Sequence, residues 1–232
     1  MISIHQSQFL PWVPYFYKII KSDVFVVLDH VQYQKNGVQN RNMIKTSQGG
    51  QWITLPVSVK LGMAINEVEI AGPNVYEKLI KTLDMNYHKS LNFNEVFPGL
   101  EPVLKKNVRN LHEINKLLIK EVFSLLSIQV PMVESSTMEL QCAKDDLVIE
   151  IIKKQGDTEY LSGKGALDYM DLEKFKKAGI KVFVYKFNYV PYSQLWDKQG
   201  FIADLSIIDL LFNDCTNANN YINANGSLER VI

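Results

Sequence analysis

Apolar positions along the chain follow two periods, and the switch between them outlines the fold. Ile2 and Ile4 alternate into a short strand that ends at His5. Trp12, Tyr15, Phe16, Ile19 and Ile20 then recur at helical spacing, opened by Pro11 and Pro14. Residues 24–28 are apolar throughout and bounded by Asp23 and Asp29, the pattern of a strand buried on both faces. Strand, helix and strand within about 30 residues predict a βαβ unit. Two strand-like runs follow, 41–46 and 51–59. Gly49-Gly50 between them predicts a hairpin with a glycine turn.

The middle of the chain changes period. Tyr76, Leu79, Ile80, Leu83 and Tyr87 share one helical face, after a start near Pro73-Asn74. Leu111, Ile114, Leu118, Val122 and Leu125 mark a longer helix. Asp145 and Asp146 are placed to cap a third, which carries Leu147, Val148, Ile151 and Ile152. The last third returns to alternation: a strand at 158–161, the loop Ser162-Gly163-Lys164-Gly165, a helix at 172–178 ending at Gly179, a strand at 180–187 and an apolar helix at 205–212. The asparagine-rich end is expected to be loosely held. The whole predicts one α/β domain with a central, mostly parallel sheet. Its helical middle segment, 73–155, is expected to cap the carboxyl edge of that sheet.

Composition narrows the classes without naming one. At 232 residues and 47% apolar, the chain can bury a full core. Formal net charge is zero, so nothing indicates a nucleic-acid binder, which would carry a basic excess. Cys142 and Cys215 stand alone, and no Cys/His ligand spacing occurs, so no zinc site is expected. The start MISIHQSQFLPW lacks the pattern of a signal peptide. No apolar run reaches membrane-spanning length, and a cytosolic protein is expected.

Four polar groups could carry chemistry. His5, Gln6 and Gln8 follow the first strand, where open sheets place ligands, and His5 is taken to exchange protons near neutral pH. The competing reading is a histidine bonded to backbone. Asp29, Gln32, Gln39, Asn40, Arg41, Asn42 and Lys45 form the second group. Arg41 and Lys45 could clamp a phosphate or carboxylate, or simply sit on a solvated loop. The third group is Ser162, Gly163 and Tyr169, a loop able to offer N–H groups to an anion or to serve as a turn. The fourth joins Gln194 to Ser206 and Asp209, the last a carboxylate among apolar residues that requires a partner. His88 and His112 read as surface residues.

In order, the blocks IHQSQFLPWVPYFYKI, DVFVVLDHVQYQKNGVQNRNMIKT, QWITLPV, YLSGKGALDYMDLEKFKKAGIKVFVYKF, PYSQLW and FIADLSIIDLLFN resemble the WbqC-like family across nearly the whole chain. The chain departs from the family pattern at Ser7, Pro14 and Val38. It also has Asn213-Asp214-Cys215 where a glycine is usual. The resemblance implies a role in bacterial surface-polysaccharide (O-antigen) biosynthesis: transfer of an acyl or aminoacyl group to a nucleotide-linked amino sugar, with His5, Asp29 and Lys45 as catalytic candidates. Two alternatives stay open, a non-catalytic sugar-nucleotide-binding protein and an ATP-dependent amide-forming ligase. The second would use a nucleotidylyltransferase-like sheet and ATP as co-substrate, although the HxGH spacing is absent. No other cofactor is indicated, and oligomeric state is not legible.

Overall fold

The computed structural model describes residues 1–232, the side chain of Lys164 excepted. Five parallel strands and one antiparallel edge strand form the main sheet. In chain order they are β1 (Ile2–Gln6), β2 (Val24–Leu28), β7 (Met132–Glu134), β8 (Glu159–Ser162), β9 (Lys181–Phe187) and β10 (Gly226–Arg230). Their spatial order is β10-β9-β8-β1-β2-β7, and only β10 runs antiparallel to its neighbour. The result is a mixed, mostly parallel α/β sheet flanked by helices. The predicted βαβ unit is present: β1 and β2 are parallel neighbours joined through α1 (Val13–Ile20). Among the described residues, no helix is long and apolar enough to cross a membrane.

Side-chain alternation sends the strand residues to two cores. Phe25 and Val27 pack with α1 and α7 (Ile207–Asn225) into the larger core, which continues through α2 (Val75–Tyr87), α3 (Phe93–Lys105) and α4 (Leu111–Leu125). Ile2, Ile4 and Val26 face the smaller core under α5 (Lys144–Lys154) and α6 (Leu172–Lys177). A sheet covered on both faces explains why β2 is uninterruptedly apolar.

Several local expectations are revised. The hairpin is β3 (Arg41–Thr46) with β4 (Gly49–Thr54), so Ser47-Gln48 makes the turn and both glycines lie in the strand. Val57–Ser58 (β5) is separate and pairs with Glu69–Ile70 (β6). The middle segment is not purely helical: β7 within it forms the sheet's edge, and three residues are too few to show a period-2 pattern. Helix α3 contains Pro98 and Pro102, which mask it at sequence level. Ala143, and neither Asp145 nor Asp146, takes the cap position of α5.

The asparagine-rich end is ordered. Asn219 and Asn225 donate to Leu126 O and Tyr221 O, Asn223 to Asn219, and β10 adds to the sheet. Gly226 begins that strand, and a Cβ there would overlap the buried Tyr17 ring. Gly226→Ala is expected to cost about 1–3 kcal/mol by overpacking. A urea midpoint equal to that of the parent would show instead that the Tyr17 ring gives way.

Candidate functional site

Strand pairing opens a crevice beside His5. β1 stays paired with β2 as far as Gln6↔Leu28, but its pairing with β8 ends at Ser3↔Leu161. Beyond Ser3 the two strands part. The strand order also reverses there, since β2 and β7 extend the sheet one way from β1 and β8 and β9 the other. Open α/β sheets bind ligands at such a switch point, outside the carboxyl ends of the strands. A cleft of about 1280 Å³ straddles this edge. His5, Gln6, Lys18, Ser162, Gly163 and the exposed Tyr169 line it. That is more room than most small-molecule sites use, about 300–1,000 Å³.

The floor is built by α1 folding back on β1. The His5 ring meets Tyr15 edge-on at 5.0 Å. Its Nδ1 lies 3.3 Å from Gln6 O and 3.4 Å from Gln8 Nε2. The Tyr15 hydroxyl donates to Gln6 O at 3.2 Å, and Gln39 Nε2 donates to Gln6 Oε1 at 2.8 Å. Burial, reinforced by the neighbouring Lys18 cation, pushes the His5 imidazolium down to about 3. The expectation that His5 exchanges protons near neutral pH is therefore corrected: it is a neutral imidazole there. Lys18, unremarked in the sequence, is 1% exposed and donates to Ile4 O at 2.7 Å; burial pushes its ammonium down to about 7. Ser162 Oγ is buried and makes no hydrogen bond of standard geometry, with the Tyr160 hydroxyl as its polar neighbour. Ser7 Oγ and Gln8 Oε1 are likewise buried and unpartnered. An orphaned polar atom lining a cleft, as Ser162 Oγ does, is what a polar ligand or bound water would satisfy.

The remaining sequence candidates do not share this cleft, so His5, Arg41, Ser162 and Asp209 do not meet in one place. Arg41 stacks over Trp52 at 4.6 Å and donates to Asn36 O. Gln32 is exposed and bridges to Ala64. Asn40 is committed to Leu55 O and the Tyr33 hydroxyl, and Asn42 to Leu10 O and Phe9 O. Ser206 caps α7 and donates to Leu10 O. These groups shape the loops behind the cleft. Lys45, read as a phosphate ligand, is buried and donates to Gly200 O at 2.6 Å. Asp209 is fully buried and accepts from Tyr87 Oη, Tyr192 Oη and Gln194 Nε2, each at 2.8 Å. It is the partnered carboxylate that the sequence demanded, and its partners come from two separate segments, α2 and the loop before α7.

A second polar cluster was missed at sequence level. His112, expected at the surface, is 2% exposed in the first turn of α4. Its Nε2 lies 2.8 Å from Glu134 Oε1 and 3.9 Å from Asp29 Oδ2. Asp29 Oδ1 accepts from Ser135 Oγ and Ser136 N, each at 2.9 Å, and these bonds hold its carboxyl below the usual range against the cost of burial. Lys116 Nζ reaches Glu134 Oε1 at 3.1 Å. The ligand atoms of Asp29, His112 and Glu134 lie within 4.8 Å of one another, a donor set able to take a divalent ion. The described hydrogen bonds do not favour one. A metal on Nε2 would displace the bond to Glu134, compete with Lys116 and leave Nδ1–H buried without an acceptor. Only chain topology could reveal this cluster, since β2, β7 and α4 are far apart in sequence.

Comparison with known proteins agrees with this motif distribution. The family model described as the WbqC-like protein family matches residues 6–221, which include Gln6, Lys18, Ser162 and Gly163 of the cleft and the buried Asp209 hub. An uncharacterized protein of Mycobacterium tuberculosis, Rv1507c, is 36% identical over 225 residues, covering 95% of this chain and 96% of that protein. No solved structure matches significantly. With nearly the full chain matched, from the last residue of β1 into α7, this protein belongs to the WbqC-like protein family.

Proposed function

We propose that the cleft at the parting of β1 and β8 binds a nucleotide-linked amino sugar, and that the protein transfers an acyl or aminoacyl group to its amine in a surface-polysaccharide pathway. The observation that carries this reading is the cleft at the switch point, floored by His5 and Lys18 and edged by the unpartnered Ser162 hydroxyl. The strand order, with β1 central and the crevice at its carboxyl end, also supports a nucleotidylyltransferase-like sheet. In the reaction the sugar amine attacks the acyl carbon. The C–N bond forms, the bond to the donor's leaving group breaks, and the amine proton leaves with that group or to water. His5, held neutral with Nδ1 accepting from the Gln8 amide, offers its Nε2–H to the oxyanion that develops on the acyl carbon.

The test uses the full chain with nucleotide-linked amino sugars and acyl or aminoacyl donors, read by mass spectrometry for the amide. His5→Ala should lower turnover by about 10²–10³, the cost of removing an oxyanion donor. Sugar-nucleotide binding should stay within a few fold. A second reading, a non-catalytic sugar-nucleotide-binding protein, is favoured by the depressed His5, which leaves the cleft without an imidazole that titrates near pH 7. Tight binding with no product from any donor would select it. Product formed only with ATP present would select the amide-ligase reading.

A further inference from the structure

Lys18 is a cation with an unusual address. It stands on the buried side of α1, below the crevice, and its side chain is 1% exposed while still lining the cleft. Among the described residues, Ile4 O is its one hydrogen-bond acceptor. No carboxylate oxygen lies within the 4.0 Å of an ion pair. His5 beside it is a neutral imidazole and supplies no counter-charge. An ammonium has three N–H donors, so two are left without protein acceptors. A buried cation without a counter-ion is costly. Here it is retained at the point where β1 loses its pairing with β8, since Ile4 is the first residue beyond the last pair, Ser3↔Leu161.

We propose that Lys18 is an anion anchor at the split between β1 and β8, and that it receives the diphosphate of a nucleotide-linked sugar. The choice of diphosphate rests on the proposed function above; the anion site itself rests on geometry alone. A ligand anion entering the crevice would supply both the missing charge and the missing acceptors. The other titratable groups lining the cleft are His5 on β1, Tyr160 on β8, Tyr169, Tyr185 and Lys186 on β9, Tyr189, Lys144 and Asp145 on α5, and Asp204 in the loop before α7. Asp145 and Asp204 are the carboxylates among them, and neither forms an ion pair with Lys18. Anion binding must raise the Lys18 ammonium from about 7, so at pH 8 the complex takes up a proton.

The first experiment is calorimetry of the full chain with UDP-N-acetylglucosamine at pH 8, in two buffers of different ionisation enthalpy. This ligand's phosphates do not titrate near that pH. The expected result is proton uptake on binding and at least about a tenfold loss of affinity in Lys18→Met, the scale of one charge-assisted hydrogen bond. Uridine, which lacks phosphate, should bind both chains alike. Lys18→Arg should bind without taking up the proton. Methionine suits the apolar surroundings, and circular dichroism with urea melts verifies that the variant folds. The second experiment follows the Lys18 side chain by NMR in chloride and in sulfate, a non-titrating probe at these pH values. Sulfate should move its titration upward. If neither sulfate nor the sugar nucleotide moves it, or if Lys18→Met binds UDP-N-acetylglucosamine as tightly as the parent, the anion site is overturned. If sulfate moves the titration while no sugar nucleotide binds, the anion site stands and the sugar-nucleotide reading falls.

Discussion

Replacing Asp209 by alanine is expected to destabilise the protein by about 3–5 kcal/mol, the scale for breaking a buried charged network by removing one member. Asp209 is fully buried on α7, and burial pushes its carboxyl up. Hydrogen bonds from Tyr87, Tyr192 and Gln194, and the nearby Lys45 ammonium, act against that shift. Truncation would leave two phenol hydroxyls and an amide without their acceptor in an apolar setting. The effect spreads because the partners belong to two units far apart in sequence, α2 (Tyr87) and the loop before α7 (Tyr192 and Gln194). Tyr87 ends α2, stacks on Phe212 at 4.7 Å and accepts from the Lys45 backbone N–H on β3. Gln194 holds the loop before α7 through Ile202. Asp209→Asn keeps the shape but turns an NH₂ toward a donor, so an intermediate loss is expected. Urea unfolding of the three chains checks the order parent, Asn, Ala. Equal midpoints for parent and alanine variants would show that water replaces the carboxylate and that Asp209 is not a structural hub.

Acid should unfold the protein along a limb that His5 sets. The ordinary histidine value is 6.5, and the folded chain depresses it to about 3. A depressed group contributes stability that is fully present above the unfolded value and is lost as pH falls toward the folded one. For His5 the window is therefore 6.5 down to about 3. Asp29 and Glu134, also held low, lose their contribution only below the carboxylate range, and Asp209, pushed up, gains on acidification. Comparing the parent with His5→Ala isolates the histidine. Between pH 6.5 and 4 the stability gap between them should fall by up to about 3 kcal/mol. The ring's contact with the cleft makes this an upper bound. A gap that stays constant across that range would mean the imidazole is solvated and titrates normally.

Much of the fold follows from patterns that local physics imposes. The uniformly apolar stretch at β2, the helical spacing of Trp12 to Ile20 and the βαβ order needed nothing beyond period and length. Helix α3 was hidden because Pro98 and Pro102 violate helix propensity, and packing of Val96, Leu100 and Leu104 in the larger core overrides that penalty. The three-residue β7 was hidden because it is defined by pairing with β2.

For the site, the sequence by itself determined which side chains are available and that His5, Gln6 and Gln8 follow a strand of an α/β sheet. It also determined that Asp209, a carboxylate in an apolar helix, requires partners, because the cost of burying a bare charge is visible in composition alone. Tertiary structure alone decided which polar groups reach the cleft. Lys45 and Arg41 looked like phosphate ligands, yet one is buried against Gly200 and the other lies over Trp52. Lys18 sits in an apolar helix pattern and became a cleft residue only when α1 folded onto β1. His112 became a buried partner of Glu134 only when α4 met the end of β7. The physical reason is the same in each case. Chemistry depends on distance and on exclusion of water, and both are set by contacts between residues that the chain keeps far apart.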